Sequence, residues 1–238
     1  MSSESVLRIV WVYPDLLSTY GDRGNMLILT RRGELRGIDV RCDEVRSDQR
    51  VPDEGDIYLL AGGEDAPQTL AAERLLADGG LRRAVDRGAV VFAVCAGYQL
   101  VGESFAARDR EYAGLDLFDL RSDRGASRAV GELAGTVDAE LGLPTLTGFE
   151  NHGGRTRLGP GVRPLATVAV GVGNDGHTEG AWTTGLLGTY AHGPALSRNP
   201  ALADLLLRWA TGREDLEPLD DIWHERLRAE RLNAIGVT

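Results

Sequence analysis

The sequence predicts an α/β protein of three layers, with a mostly parallel central sheet between helices and an antiparallel extension. Three observations carry that prediction. Over the first 105 residues, short apolar runs alternate with helical segments, which is the pattern of a parallel sheet covered on both faces. Val90-Val-Phe-Ala-Val94 is an uninterrupted apolar run rich in β-branched residues, as in a strand buried on both sides. After Phe105 the strands become short and punctuated by glycine, which reads as a more antiparallel extension of the sheet. The 238 residues, 42% hydrophobic and 26% charged, fit a single domain spanning 1–238. Its core covers about 6–212, and 213–238 form a C-terminal helical extension.

Taken in order, residues 6–13 form the first strand, stopped by the turn signal Tyr13-Pro14-Asp15. Tyr20-Gly21-Asp22-Arg23-Gly24-Asn25 is a polar loop opening a helix, with Asp22 or Asn25 near the cap. It sits where ligands gather in open α/β sheets, although a plain turn before a helix has the same composition. Residues 39–44 and 57–61 are the next strands, the latter ending in Gly62-Gly63-Glu64-Asp65. Helices follow at 71–77 and 81–87, with Gly88 as a stop, and then the Val90 strand. A helix is expected over 98–105, and residues 121–128 read as a polar loop. Strands are expected at 131–137, 146–150, 165–170, 180–183 and 186–191, and helices at 200–210 and 219–234. In the last helix Leu219, Trp223 and Leu227 share one face, either as core packing or as a docking stripe, and core packing is the expectation.

Composition excludes several kinds of function. A net charge of −10 argues against nucleic acid or anionic membrane as the main partner. There is no lysine, so neither a Schiff base nor the lysine of a G-x-x-x-x-G-K-[ST] phosphate loop is available. No apolar run approaches 18 residues, and Met1-Ser-Ser-Glu-Ser5 shows no signal-peptide pattern. Two cysteines, Cys42 and Cys95, make no disulfide framework and suggest a reducing cytoplasm.

Cys95 lies where the Val90 strand turns into a helix, in Cys95-Ala96-Gly97-Tyr98-Gln99. Such an elbow lifts a side chain above the sheet and surrounds it with backbone N–H groups, which favours a thiolate nucleophile. A buried core cysteine is the competing account. The Gly62-Gly63 turn gives a backbone geometry suited to an oxyanion hole, but glycine pairs are also common in ordinary turns. A nucleophilic cysteine needs a base. Of four histidines, His224 reads as a surface residue of the last helix and His177 lies in the hairpin turn Gly173-Asn-Asp-Gly176-His177. His152 and His192 both stand at strand ends before glycines, and spacing alone does not choose between them.

The Cys95-Ala96-Gly97-Tyr98-Gln99 elbow resembles the class I glutamine amidotransferases, whose fold is flavodoxin-like. Gly148-Phe-Glu-Asn-His152 and Gly188-Thr-Tyr-Ala-His192-Gly193-Pro194 narrow the resemblance to the cobyric-acid-synthase-like branch. Tyr20-Gly-Asp-Arg-Gly-Asn25 looks like one subgroup, the glutamine amidotransferase subunits of lipid II isoglutaminyl synthases. The resemblance runs from Tyr20 to Pro200. It implies that Cys95 attacks L-glutamine, that His192 is general base and acid, and that backbone N–H groups of Gly63 and Ala96 hold the oxyanion. It implies that Arg128 binds glutamine, a role suited to a guanidinium facing an α-carboxylate. It implies no metal or cofactor in this chain. Ammonia would pass to a Mur-ligase-like partner subunit in a cytoplasmic heterodimer, which would use ATP and Mg to amidate the D-glutamate of the lipid II stem peptide.

The chain departs from the wider class at one position. Many class I enzymes carry a glutamate two residues after the catalytic histidine, where this chain has Pro194. Either Glu150 or Glu179 serves, or His192 works in a dyad, or a partner subunit supplies the carboxylate. The last is the expectation. His152 reads as a strand-end histidine bonded to the glycine-rich loop. Two other functions stay open: ammonia delivery to a different carboxylate, such as a corrinoid precursor, and a non-catalytic binding domain on the same scaffold.

Overall fold

The computed structural model describes residues 6–108 and 110–237. The Met1-Ser-Ser-Glu-Ser5 segment lies outside the described residues. The first half alternates as expected: β1 (Leu7–Val12), α1 (Arg23–Glu34), β2 (Val40–Val45), β3 (Ile57–Leu60), α2 (Asp65–Asp78), α3 (Gly80–Asp86), β4 (Val90–Val94) and α4 (Ala96–Leu100). The second half comprises β5 (Ser104–Ala107), β6 (Arg110–Ala113), β7 (Leu120–Val137), β8 (Leu146–Leu158), β9 (Ala166–Val170), β10 (Thr178–Glu179), β11 (Ala181–Thr183) and β12 (Leu186–Thr189). It closes with α5 (Ala195–Arg198), α6 (Pro200–Thr211) and α7 (Ile222–Ala234).

The first sheet has the order β11-β12-β4-β3-β1-β2 and is parallel throughout except for β11 at its edge. Read from β2, this is the 2-1-3-4-5 order of flavodoxin-like sheets, with β12 as the fifth strand. Every residue of β3 and β4 is buried, which is why their sequences are continuous apolar runs without alternation. α1 packs against α5 and α6, and α2 packs against α3 and α4.

The antiparallel extension is present in β11, but the other antiparallel strands form a second sheet, β10-β9-β7-β5-β6, with β8 also paired to β7. Three sequence expectations are corrected here. The helix expected over 98–105 starts at Ala96 and ends at Leu100, and Ser104–Ala107 is a strand. Gly102 explains the stop: a Cβ there would come within 2.7 Å of the Leu120 carbonyl oxygen, so the chain crosses β7 too closely to stay helical. Residues 121–128 are not a loop but the first part of the 18-residue β7, paired to β8 from Leu120↔Leu158 onward. β8 itself runs eight residues past Glu150, to Leu158.

The stripe expected on the last helix is not core. Trp223 is 72% and Leu227 51% exposed. α7 is instead fastened by Arg228, which bonds the Thr145 carbonyl and the Asn199 side chain, and by Asp221, which pairs with Arg32 of α1 at 2.7 Å. Among the described residues, no helix is long and apolar enough to cross a membrane.

Candidate active site

The carboxyl ends of β1, β3, β4 and the segment after β12 converge on one place, as ligand sites do in open parallel sheets. Cys95 follows β4 directly with φ 52 and ψ −106, a conformation that costs a non-glycine residue energy. The turn is locked from both sides: Cys95 N–H donates to the Thr189 carbonyl at 2.9 Å, and Gln99 N–H donates to the Cys95 carbonyl at 3.0 Å. Gly97 must be glycine, because a Cβ would come within 2.5 Å of the Leu60 carbonyl oxygen. Cys95 is 7% exposed and opens into a cavity of about 460 Å³, within the usual range for small-molecule sites. The elbow therefore answers the competing reading: the cysteine is mostly covered, yet it lines a pocket.

His192 lies behind Cys95 and is fully buried. The chain after β12 is held against β8 by reciprocal backbone bonds between Phe149 and His192, at 3.0 and 2.8 Å. The His192 Nδ1 is 3.0 Å from Oδ1 of Asp22, so Nδ1–H donates to that carboxylate. The other oxygen of Asp22 accepts from Gly62 N–H at 2.7 Å. The His192 Nε2 has no hydrogen-bond partner among the described residues. Burial works to lower the His192 pKa, but the bond to Asp22 and the adjacent Cys95 thiol outweigh it and push it up to about 10.

The carboxylate beside His192 is therefore in this chain, which corrects the expectation that a partner supplies it. Neither acid considered from the sequence is involved. Glu150 meets His152 Nε2 at 3.2 Å and accepts from Val172 and Gly173 N–H at 2.7 and 2.9 Å. Glu179 is spent on Thr189 and Tyr190, accepting from the Tyr190 N–H at 2.9 Å. Asp22 had read as a helix cap, and it does stand at the N-cap of α1, but its side chain makes no capping bond. Its placement just past β1 was the one available signal.

The rest of the Tyr20–Asn25 motif serves the same corner. Asn25 accepts from the Leu196 N–H at 2.9 Å, tying α1 to α5, the helix just after His192. At Gly24 a Cβ would overlap the Pro194 ring, 2.1 Å from Cγ. Tyr20 meets the His192 ring edge-on at 4.9 Å between centroids, and its hydroxyl accepts from Asn151 Nδ2 at 2.7 Å. Gly62 completes the fit, since a Cβ there would sit 2.7 Å from His192 Cε1 and 3.1 Å from Asp22.

Gly63, Ala96 and Arg128 all line the cavity with Cys95. Gly63 and Ala96 stand side by side: a Cβ on Gly63 would be 3.8 Å from the Ala96 methyl. Arg128 comes from the irregular stretch of β7 between Arg124 and Ala129, where the pairing register shifts. Its Nε donates to Asn151 Oδ1 at 2.5 Å and Nη2 to the Asn151 carbonyl at 3.2 Å, both neutral acceptors. Arg124, Arg108, Asp65 and Glu64 also line the cavity.

His152 lines the cavity wall but is structurally engaged. It stacks on Tyr190 at 3.7 Å and 11°, and Nδ1 lies 3.1 Å from the Gly154 carbonyl, the glycine-rich-loop contact expected. Burial holds its pKa below the usual histidine value. His177 lies in a turn and donates its N–H to Asp175, and His224 is on the exposed face of α7. Among the described residues no group of three potential metal ligands comes together.

A cysteine on a strained elbow, with a buried histidine and carboxylate beside it, defines the class of the site. The sequence comparisons agree with it: the family model of the CobB/CobQ-like glutamine amidotransferase domain matches residues 8–200, and the chain belongs to this glutamine amidotransferase family. It is 33% identical over 213 residues to the lipid II isoglutaminyl synthase (glutamine-hydrolyzing) subunit GatD of Staphylococcus aureus, covering 88% of this chain and 86% of that one. It is 32% identical over 235 residues to the GatD subunit of Streptococcus pneumoniae, covering 94% and 90%. A cobyric acid synthase of Deinococcus radiodurans is 33% identical, but over 64% of this chain and 31% of its own. Among solved structures, a glutamine amidotransferase superposes with a TM-score of 0.57 at 21% identity, covering 85% of this chain and 98% of that one. The glutaminase domain of Trypanosoma brucei CTPS does so with 0.54 at 15%, covering 89% and 96%. These two likenesses support the fold.

Proposed function

We propose that this chain is the glutamine-hydrolysing subunit of an enzyme that amidates the D-glutamate of the lipid II stem peptide. The Cys95 thiolate attacks the side-chain amide carbon of L-glutamine, and the oxyanion formed is held by the N–H groups of Gly63 and Ala96. The C–N bond breaks as His192 gives its proton to the departing amide nitrogen, releasing ammonia and leaving a γ-glutamyl thioester on Cys95. Water then attacks the thioester, His192 takes its proton, and glutamate leaves. Asp22 fixes the imidazole orientation and stabilises the imidazolium. Arg128 receives the α-carboxylate of glutamine.

The observation that carries this reading is the Cys95–His192–Asp22 arrangement opening into an arginine-lined cavity. The acceptor is assigned from the relatives, because the two GatD subunits align along 86% and 90% of their own length while the cobyric acid synthase aligns along 31%. Activation of a carboxylate falls to a Mur-ligase-like partner that binds ATP and Mg, since this chain has no lysine for a phosphate loop. The test is glutamate release from L-glutamine by wild type and by Cys95→Ser, followed by lipid II amidation with the partner present. Loss of both in Cys95→Ser is expected. Glutaminase activity surviving in Cys95→Ser, or a pure chain that neither releases glutamate nor reacts at Cys95 with a glutamine-like electrophile, contradicts it.

A further inference from the structure

L-Glutamine reaches the site as a zwitterion whose two charges sit on one carbon, so a pocket that selects it offers a cation to the α-carboxylate and, close beside it, an anion to the α-ammonium. The cation is assigned above. We infer that Asp65 is the specificity residue for the α-ammonium group of the substrate, an inference that rests on the glutaminase reading. Two acids line the cavity, Glu64 and Asp65. Glu64 is exposed and makes no side-chain capping bond. Asp65 is fixed in place: its Oδ2 accepts from Arg108 N–H at 3.0 Å and from Arg124 Nη2 at 2.9 Å. Its Oδ1 has no partner among the described residues. A half-exposed carboxylate on the cavity wall, held by two donors through one oxygen and with the other unbonded among the described residues, is a prepared receptor for a cationic donor.

Asp65 is the first residue of α2, and three residues on, Gln68 donates from Nε2 to the carbonyl of Ala96, next to the nucleophile, at 3.2 Å. Asp65 and Cys95 thus line one cavity, joined through the first turn of α2. Arg124 stands at the start of the register shift of β7 and Arg128 within it, and both line the cavity. Arg124 is engaged by Asp65 and Arg128 by a neutral side chain, which leaves Arg128 for the substrate carboxylate.

The test uses the full chain and glutaramate, which is glutamine without its α-amino group. Glutamate release by wild type first establishes the glutaminase reading, and its absence would sink that reading rather than this one. Calorimetric binding is then compared in Cys95→Ser, which forms no thioester, with and without Asp65→Asn. Cys95→Ser is expected to bind L-glutamine roughly 10- to 100-fold more tightly than glutaramate. Adding Asp65→Asn removes most of that preference by weakening L-glutamine while leaving glutaramate within about twofold. Asp65→Glu restores part of it. If both ligands weaken together, Asp65 only holds Arg124 and the Arg108 backbone, and the inference is wrong. A preference that persists in Asp65→Asn but vanishes in Glu64→Gln also overturns it.

Discussion

Asp22 and His192 are 170 residues apart in sequence and 3.0 Å apart in the fold. Asp22 acts on two groups, orienting the imidazole with one oxygen and fixing Gly62 with the other. Asp22→Asn keeps the shape but offers a neutral, mixed donor and acceptor group in place of the carboxylate. Glutaminase kcat is predicted to fall about 10²- to 10⁴-fold, with a smaller change in KM. The same change removes an interaction that raises the His192 pKa, so the pKa moves down from about 10. An NMR titration of His192 reads this directly, and an unchanged midpoint would contradict it. The His192 pKa is raised in the fold, so the stabilisation is fully present below about 6.5 and is lost as pH rises through about 10. The sequence showed Asp22 as a capping residue because Asp before a helix has that local meaning; only the strand crossover reveals the other.

At the scale of elements, β8 shows what hydropathy alternation misses. Glu150, His152, Gly154 and Thr156 all face inward, while Phe149, Asn151, Gly153 and Arg155 are half-exposed. The period of two is intact, but the buried members are polar or glycine, joined through Tyr190 and Thr156 at 2.7 Å and through Ser122 and Thr156 at 2.8 Å. A polar inner face hides a strand from any reading that equates inside with apolar. β3 and β4, whose inner faces are apolar, were legible for the opposite reason. The same region holds Glu179, which burial pushes up to about 7 from an ordinary 4.5. The folded chain keeps a proton that the unfolded chain loses, so stability falls as pH rises from about 4.5 to about 7 and stays lower above. Glu179→Gln retains an acceptor for Tyr190 N–H and removes that loss. Its thermal midpoint should exceed wild type by roughly 5 °C at pH 8 and match it at pH 4; equal midpoints at both pH values would refute the assignment. On α7, Trp223→Ala should change stability by less than about 0.5 kcal/mol in a denaturant titration, because the ring is exposed, not core.

Across the whole molecule, two sheets divide the work. The parallel sheet brings Cys95, His192, Gly62 and Asp22 to its carboxyl end, and β7 and β8 of the second sheet supply the wall with Arg128, Asn151 and His152. An acidic chain of net charge −10 thus presents a cavity lined by three arginines, Arg108, Arg124 and Arg128, suited to a small carboxylate-bearing substrate. The elbow and the alternating first half were legible because each is set by contiguous residues. The carboxylate was not, because its role depends on which strand ends the topology makes neighbours. The central claim is that hydrolysis of glutamine needs no residue from another chain. Glutamate release by the purified chain alone, wild type against Asp22→Ala, tests it most directly. Measurable release by the isolated wild type is expected, with a loss of at least about 10² in Asp22→Ala. An isolated chain that is inert until a partner is added, with an Asp22→Ala complex as fast as the wild-type complex, would contradict it.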